Sequence, residues 1–238
     1  QNLEKCVESC NLSVQKLVLQ QMASAEAILT PDEKELGVCV VDIGGGTADI
    51  AIYRHGAIRY TAVVPVGGKL VSNDLAVFLR TPLADAEHLK ISHGCAEPRM
   101  VQNNDTLDVP SMGDRPARSL SRHALAQVIW ARYSEIFQFI FKELKKSGFD
   151  DMLPGGVVLT GGASQMRGAV ELAEEIFHMP VRLGIPQGVL GRPEITANPA
   201  YATTLGLLLI GLANGQTLSE PPAEGWWQKI QQWMKATF

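Results

Sequence analysis

An apolar strand that runs straight into an acidic residue and three consecutive glycines constrains this chain more than any other segment: Val38-Cys39-Val40-Val41-Asp42-Ile43-Gly44-Gly45-Gly46-Thr47-Ala48-Asp49. Glycine carries no Cβ, so Gly44, Gly45 and Gly46 can take φ > 0 and let backbone N–H groups close on an anion. The turn is therefore a candidate phosphate site, to which Thr47 adds a hydroxyl and an N–H. Asp42, at the strand end, is expected to hold Mg²⁺ through water, because magnesium at nucleotides keeps most of its waters and needs few carboxylates. A tight hairpin would account for the bare glycines equally well.

A second stretch repeats the pattern. Gly155-Gly156-Val157-Val158-Leu159-Thr160-Gly161-Gly162-Ala163 is again an apolar strand ending in glycines, followed by a helical run over residues 165–178. Strand, glycine turn and helix bring backbone close to a nucleotide. One such turn is commonplace in α/β packing; two point to a shared ligand.

On these residues the chain resembles a known superfamily. Asp42 through Asp49 resembles the second phosphate motif of the actin, DnaK-type chaperone and sugar-kinase superfamily, and Val158 through Ala163 is similar to its adenosine motif. More narrowly, the chain resembles the C-terminal half of the bacterial FtsA cell-division family. The likeness extends over Glu35-Leu36-Gly37-Val38, Ile91-Ser92-His93-Gly94-Cys95-Ala96, Arg115-Pro116-Ala117-Arg118-Ser119-Leu120 and a short Trp-rich tail.

The resemblance implies an α/β fold, an actin-like (RNase H-like) βββαβα domain with an inserted smaller α/β lobe. Residues 1–36 would be the remnant of a preceding actin-like domain, 37–81 with 152–212 the nucleotide-binding subdomain, and 82–151 the insertion. ATP with Mg²⁺ is the implied cofactor. Glu87 and Lys90 would lie beside the ribose and adenine, although their spacing alone describes a surface ion pair. Asp49 would orient water near the terminal phosphate. Gly67 and Gly68, which open a helix, would offer N–H groups to the phosphates, or simply provide a glycine helix entry. The family's first phosphate loop and its water-positioning residue precede this segment, so the chain reads as a fragment with at most weak ATPase activity.

The coarse element pattern is helix (3–10), strand (14–19) and helix (22–29), the first elements being weakly anchored for want of a partner sheet. Strands follow at 38–43, 49–54 and 57–64, with a turn at His55-Gly56, then a helix over 68–79. The insertion's main helix is expected over 118–146. Its Leu125, Val128, Ile129, Tyr133, Ile136, Phe137, Ile140, Phe141 and Leu144 recur with a period near 3.6, which predicts a buried stripe. Strand 156–159, helix 165–178, strand 181–183 and helix 200–212 complete the pattern. At 238 residues with 46% hydrophobic and 19% charged, the chain can bury one substantial core, and its net charge of −4 gives no basis for nucleic-acid binding. The four cysteines lack metal-ligand spacing, and reduced thiols of a cytoplasmic protein are expected.

Two further features point to partners. Arg115, Arg118 and Arg122, with Arg132 further along, have only Asp114 and Glu135 nearby in sequence to balance them. A solvated face is the plain reading; the resemblance implies that this lobe receives the C-terminal peptide of FtsZ, whose carboxylates suit the guanidinium fork. Residues 213–225 have linker composition. Beyond them Trp226, Trp227, Ile230, Trp233, Met234 and Phe238 recur at helical spacing against a polar face, which describes an amphipathic helix lying in a membrane surface.

Together these imply an ATP-binding division scaffold that assembles with itself as an actin-like filament, meets other division proteins and tethers FtsZ to an anionic membrane. It would be peripheral on the cytoplasmic face of the inner membrane at the septum. A PilM-like pilus platform, or an ATP-hydrolysing chaperone or kinase of the superfamily, is the alternative. A chaperone would continue into a peptide-binding domain rather than into such a tail.

Overall fold

A computed structural model of the chain describes residues 2–102, 104–111 and 116–213. The expected linker beyond Ala213, the tail helix over 226–238 and Arg115 lie outside these residues. Helix α1 (Asn2–Glu8) buries nothing. Residues 14–19 form no strand, because no described strand lies beside them and a ladder exists only where its N–H and C=O groups find a partner. Helix α2 (Gln20–Ile28) follows and buries Ala23, Ser24 and Ala25 completely. Helix α3 (Pro31–Leu36) was not expected. It starts at a capping box in which Thr30 and Glu33 bond each other's backbone N–H, with Pro31 in the first turn.

Strands β1 (Val38–Ile43), β2 (Ala48–Arg54) and β3 (Ala57–Val64) then form a meander, and α4 (Gly68–Leu79) closes the βββα unit. Residues 82–151, the expected insertion, carry α5 (Leu83–His93), β4 (Thr106–Val109), β5 (Arg118–Ser121) and α6 (Arg122–Ser147). Helix α6 therefore begins four residues later than its periodicity suggested. Residues 118–121 instead pair antiparallel with β4, Val109 opposite Arg118 and Thr106 opposite Ser121. After α6 come β6 (Val157–Thr160), α7 (Ala169–Phe177), β7 (Val181–Leu183), α8 (Pro193–Thr196) and α9 (Ala202–Ala213). Helix α7 starts later than expected because residues 162–165 form a 3₁₀ turn.

The main sheet has the order β3-β2-β1-β6-β7, with β6 and β7 parallel to β1 and the meander antiparallel. Strand β1 is buried along its whole length, as a central strand between two layers must be. Alternation along it divides the core. Cys39, Val41 and Ile43 meet α4, α6 and α7 on one face, and Val38 and Val40 meet α2 and α9 on the other. Helices α2 and α9 cross so closely that a Cβ on Gly206 would overlap the Ala23 carbonyl. Weak anchorage of the first elements thus holds for α1 and not for α2. In α6 the stripe is buried as its periodicity predicts, with Val128 and Phe141 at its half-buried margins. Phe137 meets Phe177 of α7 edge-on at 5.6 Å between ring centres, a favoured aromatic geometry. No described helix is long and apolar enough to cross a membrane.

Candidate functional site

The two glycine turns converge because of strand pairing. β1 and β6 are parallel neighbours with Asp42 aligned to Thr160, so the chain leaves both strands at the same carboxyl edge, where α/β sheets open their crevices. The first turn joins β1 to β2 as a hairpin in which the Gly44 N–H donates to the Thr47 carbonyl at 2.9 Å. None of Gly44, Gly45 and Gly46 uses the φ > 0 that glycine permits. The demand for glycine lies elsewhere. Gly161 has φ +86°, and a Cβ there would overlap Asp42 Oδ1 and sit 2.5 Å from the Ile43 carbonyl oxygen. A Cβ on Gly67 would lie 2.7 Å from the Gly44 carbonyl oxygen, so the start of α4 presses directly on the first turn. Gly68 N–H donates to Gly44 O at 3.0 Å and Lys69 N–H to Gly45 O at 2.8 Å. The Gly68 N–H therefore braces the turn rather than facing a ligand.

A cleft of about 1050 Å³ opens between these turns and helices α4, α5 and α6. Its walls bring together Gly44, Gly45, Gly68, Glu87, Lys90, Gly162 and Ala163 of the expected residues. Lys90 Nζ donates to Gly68 O at 3.1 Å, Ser72 Oγ at 3.0 Å and Glu87 Oε2 at 2.8 Å, which engages all three ammonium hydrogens. Ser72 Oγ also bonds Glu87. Burial pushes the Glu87 carboxyl up, but Lys90 and Ser72 outweigh it and hold the group below the usual carboxylate range. Glu87 is thus an oriented anion on the cleft wall, and Lys90 is the post that orients it.

Asp42, Gly46, Thr47, Asp49, Gly67 and Gly161 stand outside the lining. Asp42 and Asp49 face each other across β1 and β2, on the side covered by α2 and α9. Asp42 Oδ2 accepts from Ser24 at 2.6 Å and from Thr203 at 3.2 Å, one hydroxyl from each helix. Asp49 accepts from Thr47 at 2.9 Å. Burial raises the Asp49 carboxyl, Thr47 partly opposes that, and the neighbouring Asp42 charge adds to it. Among the described residues no cluster of three or more His, Cys, Asp or Glu is arranged to hold a metal.

The arginines differ from one another. Arg118 is exposed. Arg122 donates to the His93 carbonyl at 3.0 Å, pairs with Asp105 at 3.4 Å and lines the mouth of the cleft. Arg132 forks onto Asp74 of α4 and also bonds Glu135, so its guanidinium is already balanced. Among the cleft residues that sequence reasoning does not reach are Ser72 and Tyr133. Tyr133 sits in the apolar stripe of α6 and was counted as core; its hydroxyl, the one polar tip in that stripe, was the available signal.

With this geometry established, comparison with known proteins is direct. The family model for cell division protein FtsA matches residues 39–206. The cell division protein FtsA of Pseudomonas aeruginosa is 51% identical over 249 aligned positions, covering all of this chain and 60% of that protein. The chain thus spans about 60% of the length of the curated relatives it matches. Among solved structures, MreB5 of Spiroplasma citri bound to ADP superposes with a TM-score of 0.71 at 16% identity, covering 90% of this chain and 64% of that one. A MamK double helical filament gives 0.65 at 14% identity, covering 88% and 63%. These likenesses establish the actin-like fold. At this level of identity and coverage, the chain belongs to the FtsA family of bacterial cell-division proteins.

Proposed function

We propose that this chain is the nucleotide-binding part of an actin-like division scaffold, with ATP in the cleft between its glycine turns. The observation that carries this reading is convergence: both turns and the oriented Glu87 bound one cavity. Phosphates would lie along Gly44 and Gly45, and adenosine against Gly162, Ala163 and Glu87. The residues fit the nucleotide better than its metal. Asp42 Oδ2 is engaged by two hydroxyls and Oδ1 lies beside Gly161, so Asp42 would reach Mg²⁺ only through water, with the remaining ligands supplied by phosphate oxygens and water.

A Cβ added at Gly45 meets nothing within 4 Å and one at Gly162 meets only Ala200 Cβ at 3.9 Å, so a β-carbon at either of these cleft-lining positions overlaps no neighbour. Gly162→Val should therefore abolish ATP binding measured by calorimetry while leaving the melting temperature unchanged. Undiminished binding would overturn the assignment.

The wider reading follows from family membership. The scaffold would assemble with copies of itself, as the MamK neighbour does in its filament, and would hold the acidic C-terminal peptide of FtsZ through Arg118 and Arg122 with Arg115. Its tail, through Trp226, Trp227, Ile230, Trp233, Met234 and Phe238, would lie in the cytoplasmic face of the inner membrane at the septum. About 13 residues at 1.5 Å each extend roughly 20 Å, too short to span. Salt should weaken the peptide contact, and binding that survives Arg118→Glu with Arg122→Glu would exclude this site.

A further inference from the structure

Tyr133 is the one residue of the α6 stripe whose packing does not explain its chemistry. The side chain is 1% exposed among Phe137 and other apolar neighbours, where a phenylalanine would fill the same space. A buried hydroxyl is unfavourable unless it is bonded. This one donates to the Ala163 carbonyl at 2.8 Å. Ala163 belongs to the second glycine turn and forms cleft wall; it also abuts Gly68, where an added Cβ would lie 3.2 Å from Ala163 Cβ. Within the turn, the Ala163 carbonyl otherwise receives only a long bond from the Met166 N–H at 3.4 Å. The turn's height above α6 is therefore set from beneath, by a residue 30 positions away in sequence.

We propose that Tyr133 is a positioning residue for the adenosine side of the cleft, its hydroxyl fixing the Ala163 carbonyl and so the wall against which the nucleoside packs. The inference rests on the nucleotide reading above. It makes a distinction that packing alone does not, because the phosphate side of the cleft is braced separately, through Gly68 and Lys69 to Gly44 and Gly45. Loss of the Tyr133 hydroxyl should disturb nucleoside binding and spare phosphate binding.

The test is calorimetric titration of the full-length protein and its Tyr133→Phe variant with ATP and with inorganic tripolyphosphate. One neutral hydrogen bond corresponds to an affinity loss of about three- to tenfold, expected for ATP alone with tripolyphosphate unchanged. Phe137→Leu, one turn further along the same stripe, is the control. It should lower the melting temperature while keeping the ratio of the two affinities. If wild type binds ATP and Tyr133→Phe binds it equally well, the inference is wrong and the nucleotide reading stands. Equal weakening of both ligands would mean general loosening and also overturn it. If wild type binds neither ligand, the nucleotide reading fails and takes this inference with it.

Discussion

Replacing Gly161 by alanine separates backbone strain from steric exclusion at the turn where the two strands' exits meet. Its φ of +86° with ψ of 167° lies in a region that is essentially glycine-only, where a side chain costs about 1–3 kcal/mol. The added Cβ would also overlap Asp42 Oδ1 and sit 2.5 Å from the Ile43 carbonyl oxygen. Neither neighbour yields easily: Ile43 is backbone of a central strand, and Asp42 is tied to Ser24 and Thr203. Relieving the overlap demands backbone shift, as overpacking does, at about 1–3 kcal/mol more. The total, about 2–6 kcal/mol, is a large share of the 5–15 kcal/mol typical of a domain. Gly188 supplies the comparison, since it has φ +77° and nothing within 4 Å of a Cβ. Gly188→Ala should cost only the backbone part, about 1–2 kcal/mol. Urea unfolding followed by circular dichroism reads both. If Gly161→Ala loses no more than Gly188→Ala, the close approach at the turn is not what requires glycine there.

Other outcomes follow from packing and charge. Phe137→Ala empties a fully buried site against Phe177 and should cost about 3–5 kcal/mol in the same assay. Arg182 forks onto Glu33 at 2.8 Å and reaches the Ile28 carbonyl at 2.9 Å, so Arg182→Met should loosen α3 and speed amide exchange there before it affects β1. The Glu97 carboxyl is held below its ordinary value of 4.5 chiefly by the Arg99 side chain, which outweighs burial. Its folded value being the lower, the unfolded chain takes the proton first as pH falls. That stability is present above the ordinary value and lost as pH drops through the folded one, and Arg99→Gln should flatten the acid limb of a stability–pH curve. For the tail, Trp227→Glu with Trp233→Glu should release the protein from anionic liposomes; continued co-sedimentation would remove the membrane reading.

The main meander was legible because strand-like runs rich in Val, Ile, Tyr and Ala, separated by the glycine turn and by His55-Gly56, leave few alternatives. The hairpin in the insertion was not. Thr106–Val109 and Arg118–Ser121 are four residues each, and the helical period of α6, extrapolated backward, absorbed the second of them. Helix α3 did carry a signal, Thr30-Pro31-Asp32-Glu33, which reads as a capping box once its short length is accepted. The site was half legible. Each glycine turn announced itself, yet their convergence depends on pairing between residues 39–42 and 157–160, a contact no local pattern encodes. The freedom of Gly44–Gly46 to take positive φ goes unused because a hairpin of this length closes without it, whereas the neighbour-driven need at Gly67 and Gly161 emerges only in three dimensions. The balancing of Arg132 was hidden for the same reason, since Asp74 lies 58 residues from it in sequence.

Helix α6 contains neither glycine nor proline across its 26 residues, so it has none of the usual sources of a kink and runs as a rod of about 39 Å. One end is held at Asp105 and His93 by Arg122, the middle touches Ala163 through Tyr133, and near the far end Glu143 accepts from the Tyr60 hydroxyl on the edge strand. The β4–β5 hairpin and the wall at Ala163, far apart in sequence, are thus joined through one unbroken helix.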